Sequence, residues 1–217
     1  MKIIPWIGLL AMTLTACSKT DKKEAATNSL PYYKEATFTP HWYIGSEELP
    51  KDFHKVSDFT LTNQSGDIIS EETISDKITV VDFFFTSCPG ICPKMTSNMK
   101  IIQDRFLNDS DVILLSHSVT PEYDSVPILA AYAEEKGVIA DKWHLLTGSR
   151  EQIYHLGRKQ YFVEEDLGLT KSEDEFIHTE NFVLLDQNRH IRGIYNGLNK
   201  SSVELLIKDI RVLQDRS

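Results

Sequence analysis

Positive charge is scarce in this chain: 23 Lys and Arg stand against 32 Asp and Glu, for a net charge of −9. An acidic chain gains nothing from neutralising phosphates, which excludes nucleic acid as a partner. A polybasic grip on anionic lipid is excluded on the same ground. Long apolar runs are missing too. The one candidate, Ile3 to Leu14, is shorter than the roughly 20 residues a membrane-spanning helix needs. There is no internal repeat and no second linker. Cysteine is down to three residues, an odd number that needs an explanation.

What is present is the composition of an ordinary globular domain. Of 217 residues, 41% are hydrophobic and 25% charged, enough for one well-buried core. Cys17 closes the apolar run. Met1-Lys2 is a short positive start, and small residues precede the cysteine in Leu14-Thr15-Ala16-Cys17. This is the layout of a secretory signal. The tetrapeptide resembles a bacterial lipobox, which implies cleavage after Ala16 and lipidation of Cys17. That fate also settles the odd count. Several acyl chains, each buried CH₂ contributing about 0.8 kcal/mol, anchor stably. The expected organisation is therefore a signal peptide over 1–16, a polar, flexible tether over 17–29 and one domain over 30–217. The expected place is a bacterial cell envelope, with the domain facing the periplasm or the exterior.

Within the domain, Asp58 to Ile69 alternates around Gln64-Ser65-Gly66-Asp67 and predicts a hairpin. Ile78 to Phe85 and Val112 to Leu115 are near-continuous apolar runs, the mark of strands buried on both faces. Met95, Met99, Ile102 and Phe106 share one helical face. Helices are predicted over 126–136 and 150–161, a short strand over 143–146, a hairpin over 181–195 and a last helix from Ser201. Strands alternating with helices imply an α/β fold: a central mixed sheet flanked by helices, with an amino-terminal β-hairpin extension. Ligand sites in such sheets lie beyond the carboxyl ends of the strands.

Cys88 and Cys92 follow directly after such a strand. Pro93 suits the first turn of a helix, so the pair falls at a helix amino terminus, where free N–H groups and the dipole favour thiolate. Thiolate is both nucleophile and metal ligand. Two residues usually separate a redox pair; here three do, and that loop can close a disulfide or open both sulfurs toward one ion. Two sulfurs fall short of the four ligands of structural zinc, whereas Cu(I) is soft and accepts thiolate with imidazole. Among seven histidines, spacing alone leaves His117, at the end of a strand, and His178, after an acidic loop, as candidate third ligands.

These segments resemble the Sco/SenC family of thioredoxin-like oxidase-assembly proteins. Phe83-Phe-Phe-Thr-Ser-Cys-Pro-Gly-Ile-Cys-Pro-Lys-Met95 is similar to the family's Cys-Pro-x-x-Cys-Pro segment. Ser118 to Asp124 is similar to its Ser-Val-Asp-Pro-Glu-Arg-Asp loop, and Trp143 to Gly148 and His178 to Asp186 also have counterparts. The resemblance implies a thioredoxin-like fold, with Cys88, Cys92 and His178 as copper ligands. It further implies copper delivery to the copper A subunit of cytochrome c oxidase. An upstream copper donor or thiol reductant would complete the set of partners. Thr120 and Ile177 depart from the family, which usually has Asp at the first position and in many members at the second. The alternative to a metallochaperone is a thiol–disulfide oxidoreductase, with Cys88 attacking and Cys92 resolving. A peroxidase using Cys88 is a third, weaker reading.

Overall fold

The computed structural model describes residues 29–43, 47–164 and 175–215; the signal peptide, Cys17 and all of the tether but Ser29 lie outside these. The predicted hairpin is present as β1 (Thr60–Thr62) and β2 (Ile68–Ser70), paired antiparallel. Strands β3 (Ile78–Phe84) and β4 (Val112–Ser118) are buried at every position, as strands covered on both faces must be. They run parallel, with Asp82 beside Ser116 and Phe83 beside His117. Strand β5 (Trp143–Leu146) extends the parallel half. Strands β6 (Asn181–Leu185) and β7 (Ile191–Asn196) add antiparallel strands on the other side of β3. The order β5-β4-β3-β6-β7 makes β3 central.

Side chains alternate across β3 and sort the core into two layers. Ile78, Val80 and Phe84 face α1 (Cys92–Arg105), α2 (Val126–Lys136) and the terminal α-helix (Lys200–Gln214). Met95, Met99, Ile102, Leu206 and Ile210 fill that layer with no solvent exposure. Val81 and Phe83 face the other way, toward the β1–β2 hairpin and α3 (Arg150–His155). The helix over Lys200–Gln214, here α4, starts on Asn199, whose side chain accepts from the N–H groups of Ser201 and Ser202.

Three features differ from the sequence expectation. Strand β4 continues to Ser118, three residues past its apolar run, because Ser116 and Ser118 find buried partners. The helix expected over 150–161 is α-helical only to His155. It then widens into a π-turn over Leu156–Gln160, closed by Tyr161 N–H donating to the Leu156 carbonyl at 2.8 Å. The third is the segment before the hairpin, for which no structure was expected. It lies along the outer strand: Tyr33 N–H donates to Ile191, and Val56 N–H to Arg189, so part of the exposed edge of β7 is covered.

Arg192 fixes the start of this segment. Its guanidinium donates to the carbonyls of Pro31 at 3.0 Å and Leu30 at 2.7 Å, and stacks on Tyr32 at 3.6 Å. It also pairs with Asp186 at 3.1 Å, both side chains being only 6% exposed. Removing one partner of a buried pair strands the other charge. Arg192→Met is therefore expected to lower the unfolding free energy by about 3 kcal/mol in urea titrations. It should also speed proteolysis near Leu30. An unchanged midpoint would show that Arg192 does not hold this edge.

Candidate metal and thiol site

The site grows from the carboxyl end of β3. Phe85 leaves the strand, its carbonyl accepts the Cys88 N–H at 3.3 Å, and α1 begins at Cys92. The helix has no side-chain cap; its first turn is held by the Ile91 carbonyl, which accepts from Lys94 and Met95 at 3.0 Å each. Uncapped N–H groups at this end are therefore available to an anion. Cys88 is half-buried, Cys92 buried, and both are thiols rather than a disulfide.

The two thiols are shifted in opposite directions. Burial by itself would push the Cys88 thiol up. Donation from the Cys92 thiol and from the N–H groups of Cys92, Gly90 and Ile91 outweighs it and holds Cys88 below the usual thiol range. Cys92 moves the opposite way, up to about 12, through burial, its donation to Cys88, and the negative charge of Cys88 and Asp82. Asp82 is a buried carboxyl inside β3, itself pushed up to about 7 by burial, against the opposing donation from Ser116. Cys88 is thus the accessible nucleophile and Cys92 its proton donor.

Asp124 locks the loop beneath the sulfurs. Its carboxylate is wholly buried. It accepts from Thr86 N–H at 3.3 Å, Thr86 Oγ1 at 2.5 Å, Ser118 Oγ at 2.5 Å and Thr120 Oγ1 at 3.1 Å. Thr120 supplies one of these donors.

His178 is exposed but its segment is fastened on both sides. Its ring packs on Phe176 at 4.8 Å between centroids, and Phe176 meets Phe85 edge-on at 5.2 Å. Ile177 is buried against Phe83 where Gly157 leaves room; a Cβ on Gly157 would lie 2.9 Å from Ile177 Cδ1 and 3.1 Å from Phe83 Cε1. Thr179 Oγ1 donates to the Val163 carbonyl at 2.8 Å. This ladder of rings ties His178 to the strand end from which the cysteine loop departs. Among the described residues no three His, Cys, Asp or Glu side chains stand close enough together to hold a metal. The two cysteines meet, and His178 does not join them. His117 lies in the opposite layer, stacked on Phe83 at 4.9 Å. Burial drives its pKa down to about 3, opposed only by the Asp82 backbone, and neither ring nitrogen makes a well-formed hydrogen bond. Phe176 and Gly157 carry no chemistry of their own, and the sequence reading passed over them; Phe176, two residues before His178 on an apolar patch, was the one available signal.

Residues 47–214 match the family model described as SCO1/SenC. The chain belongs to the SCO1/SenC family. Three solved structures show the same thioredoxin-like fold. A SCO1/SenC family lipoprotein from Bacillus anthracis is 30% identical, with 74% of this chain and 95% of that one aligned at a TM-score of 0.64. BsSco, a member of the Sco family of cytochrome c oxidase assembly proteins in which a disulfide switch has been identified, is 30% identical over 76% and 95%, also at 0.64. Copper-bound ScoI from Arabidopsis thaliana is 28% identical over 72% and 98%, at 0.56. The family match spans the cysteine loop, the Asp124 turn and His178 alike.

Two outcomes follow from this SCO1/SenC site. Iodoacetamide at neutral pH should label Cys88 first, as read by peptide mass spectrometry, with its rate half-maximal below the pH of an ordinary thiol. Equal labelling of Cys92 would refute the opposed shifts. Asp124→Ala strands the Thr86 and Ser118 donors at about 1–3 kcal/mol each. Amide exchange at Thr86 should then quicken at least tenfold.

Proposed function

We propose that this chain carries one Cu(I) ion on Cys88, Cys92 and His178 and delivers it to the copper A subunit of cytochrome c oxidase. The observation that carries this reading is the conjunction of a thiol pair, one sulfur facing three backbone N–H donors that draw it toward thiolate, with an imidazole fastened to the same strand end through Phe176 and Phe85. Two soft sulfurs and one neutral imidazole suit Cu(I). They are too few for structural zinc. The ion would draw His178 onto the sulfur pair and displace the Cys92 proton. On delivery His178, the exposed ligand, is the first to let go, and the acceptor's ligands replace the sulfurs one at a time. The copper-bound Arabidopsis relative and the oxidase-assembly role of BsSco support the assignment.

In the same reading Cys17 is lipidated and anchors the domain to a membrane on the extracytoplasmic side, as the description of the Bacillus anthracis relative supports. Copper would arrive from an upstream donor, and a thiol reductant must keep the pair reduced.

The opposed shifts of the two thiols favour a second use. Cys88 as thiolate attacks a disulfide in an oxidase subunit, forming a mixed disulfide and releasing one partner thiolate, which takes up a proton. Cys92 loses its proton and attacks Cys88, releasing the second partner thiol and leaving a Cys88–Cys92 disulfide. This route needs no histidine.

Anaerobic Cu(I) titration of the reduced chain should give one ion per chain. Cys88→Ser, Cys92→Ser and His178→Ala should each weaken binding by at least tenfold. Unchanged binding in His178→Ala removes that residue from the site. Oxidase assembly that survives His178→Ala but not Cys88→Ser selects the disulfide route.

A further inference from the structure

Exchange of copper at Cys88 brings an acceptor's ligands into contact with that sulfur, so whatever side chains surround it are covered by the acceptor. Most of the molecule's large apolar side chains are buried, yet two stand out at this end. Ile91, between the cysteines, is 40% exposed, and Tyr123, on the turn after β4, is 57% exposed. Neither appears in the core layers on either side of the sheet.

Both are held rigidly by their own backbones. Tyr123 N–H donates to the Thr120 carbonyl at 2.9 Å, Asp124 N–H to the same oxygen at 2.8 Å, and Ser125 N–H to the Tyr123 carbonyl at 2.8 Å. The next residue is Asp124, whose carboxylate grips Thr86, two positions before Cys88. The Tyr123 turn and the cysteine loop therefore form one unit. Ile91 is the residue on which α1 starts. Side chains fixed this way lose little freedom on being covered, and Tyr is among the residues that dominate protein contacts. Glu122, beside Tyr123, lies 3.7 Å from Arg150 and is itself largely exposed. The turn thus offers an exposed ring beside a carboxylate.

We propose that Ile91 and Tyr123 are the docking contacts for the protein acceptor, which meets them with an apolar rim around its own ligand loop. Their side chains select a folded protein over small thiols or chelators, and the Ile91 N–H that donates to Cys88 is kept when its side chain is changed. The proposal rests on the copper-delivery reading above.

The test uses the full mature chain loaded with Cu(I), Tyr123→Ser and Ile91→Thr variants, the soluble copper A domain of an oxidase subunit as acceptor, and bathocuproine disulfonate as a small competitor. Tyr123→Ser should leave transfer to the chelator unchanged. It should slow transfer to the protein about tenfold at low acceptor concentration, with recovery as the acceptor is raised. Ile91→Thr should slow the protein reaction in the same sense. Wild-type rates to the protein in both variants would overturn the docking role and leave copper delivery standing. Equal slowing toward chelator and protein would also overturn it, by placing the damage in the metal site. A wild-type chain that binds Cu(I) but passes none to the copper A domain would overturn delivery and docking together.

Discussion

The buried carboxylate of Asp124 organises everything chemical in this molecule. Its two oxygens accept four hydrogen bonds from three stretches of chain: the end of β3 at Thr86, the end of β4 at Ser118 and the turn at Thr120. A carboxylate removed from water is tolerable only when its lone pairs are met this fully. Once met, it cannot be shifted without exposing several groups at once. The cysteine loop is therefore built on a point fixed from below, and α1 can open with bare N–H groups turned to a sulfur instead of a capping side chain. The replacement of Asp by Thr120 reads naturally in this setting, since a hydroxyl donates to Asp124 where a second carboxylate would repel it.

The division of roles between the sulfurs follows from their depth. Both belong to one loop, but Cys88 lies where backbone donors converge and Cys92 where burial and the negative field of Asp82 act. Asp82 and His117 are near neighbours on adjacent strands, Asp82 level with Ser116 and His117 level with Phe83. Their side chains serve opposite layers. Asp82 finds Ser116, which in turn accepts from the Trp143 indole at 2.8 Å. His117 packs among rings, including Tyr161 at 5.4 Å, whose hydroxyl makes no hydrogen bond. The layer behind the sheet thus holds a neutral imidazole among aromatics, a setting that keeps it apart from the cysteines.

Much of this was legible in the sequence because it is encoded locally. Continuous apolar runs gave β3 and the first half of β4, helical spacing gave α1, and the two cysteines announced themselves between a strand and a proline. The illegible parts depend on residues far apart in the chain. Four donors to Asp124 arrive from positions up to 38 residues away. The π-turn is an adjustment where Gly157 runs against Phe83 and Ile177, residues with no periodic relation to it. The cover over β7 is written in isolated aromatics and one arginine 161 residues beyond its acceptor Pro31. Ile177, which looked like a lost carboxylate, is an apolar plug seating the segment that carries His178.

The Arg192 clasp fixes more than an edge. It grips Leu30 and Pro31 beside the start of β7, and register carries that point through Ile191 and Leu185 to Thr79, the beginning of β3. The sulfurs lie past the strand's other end, on the order of 20 Å away at about 3.3 Å per residue. The described chain thus enters its fold at one end of the sheet, and the cysteine loop leaves it at the other.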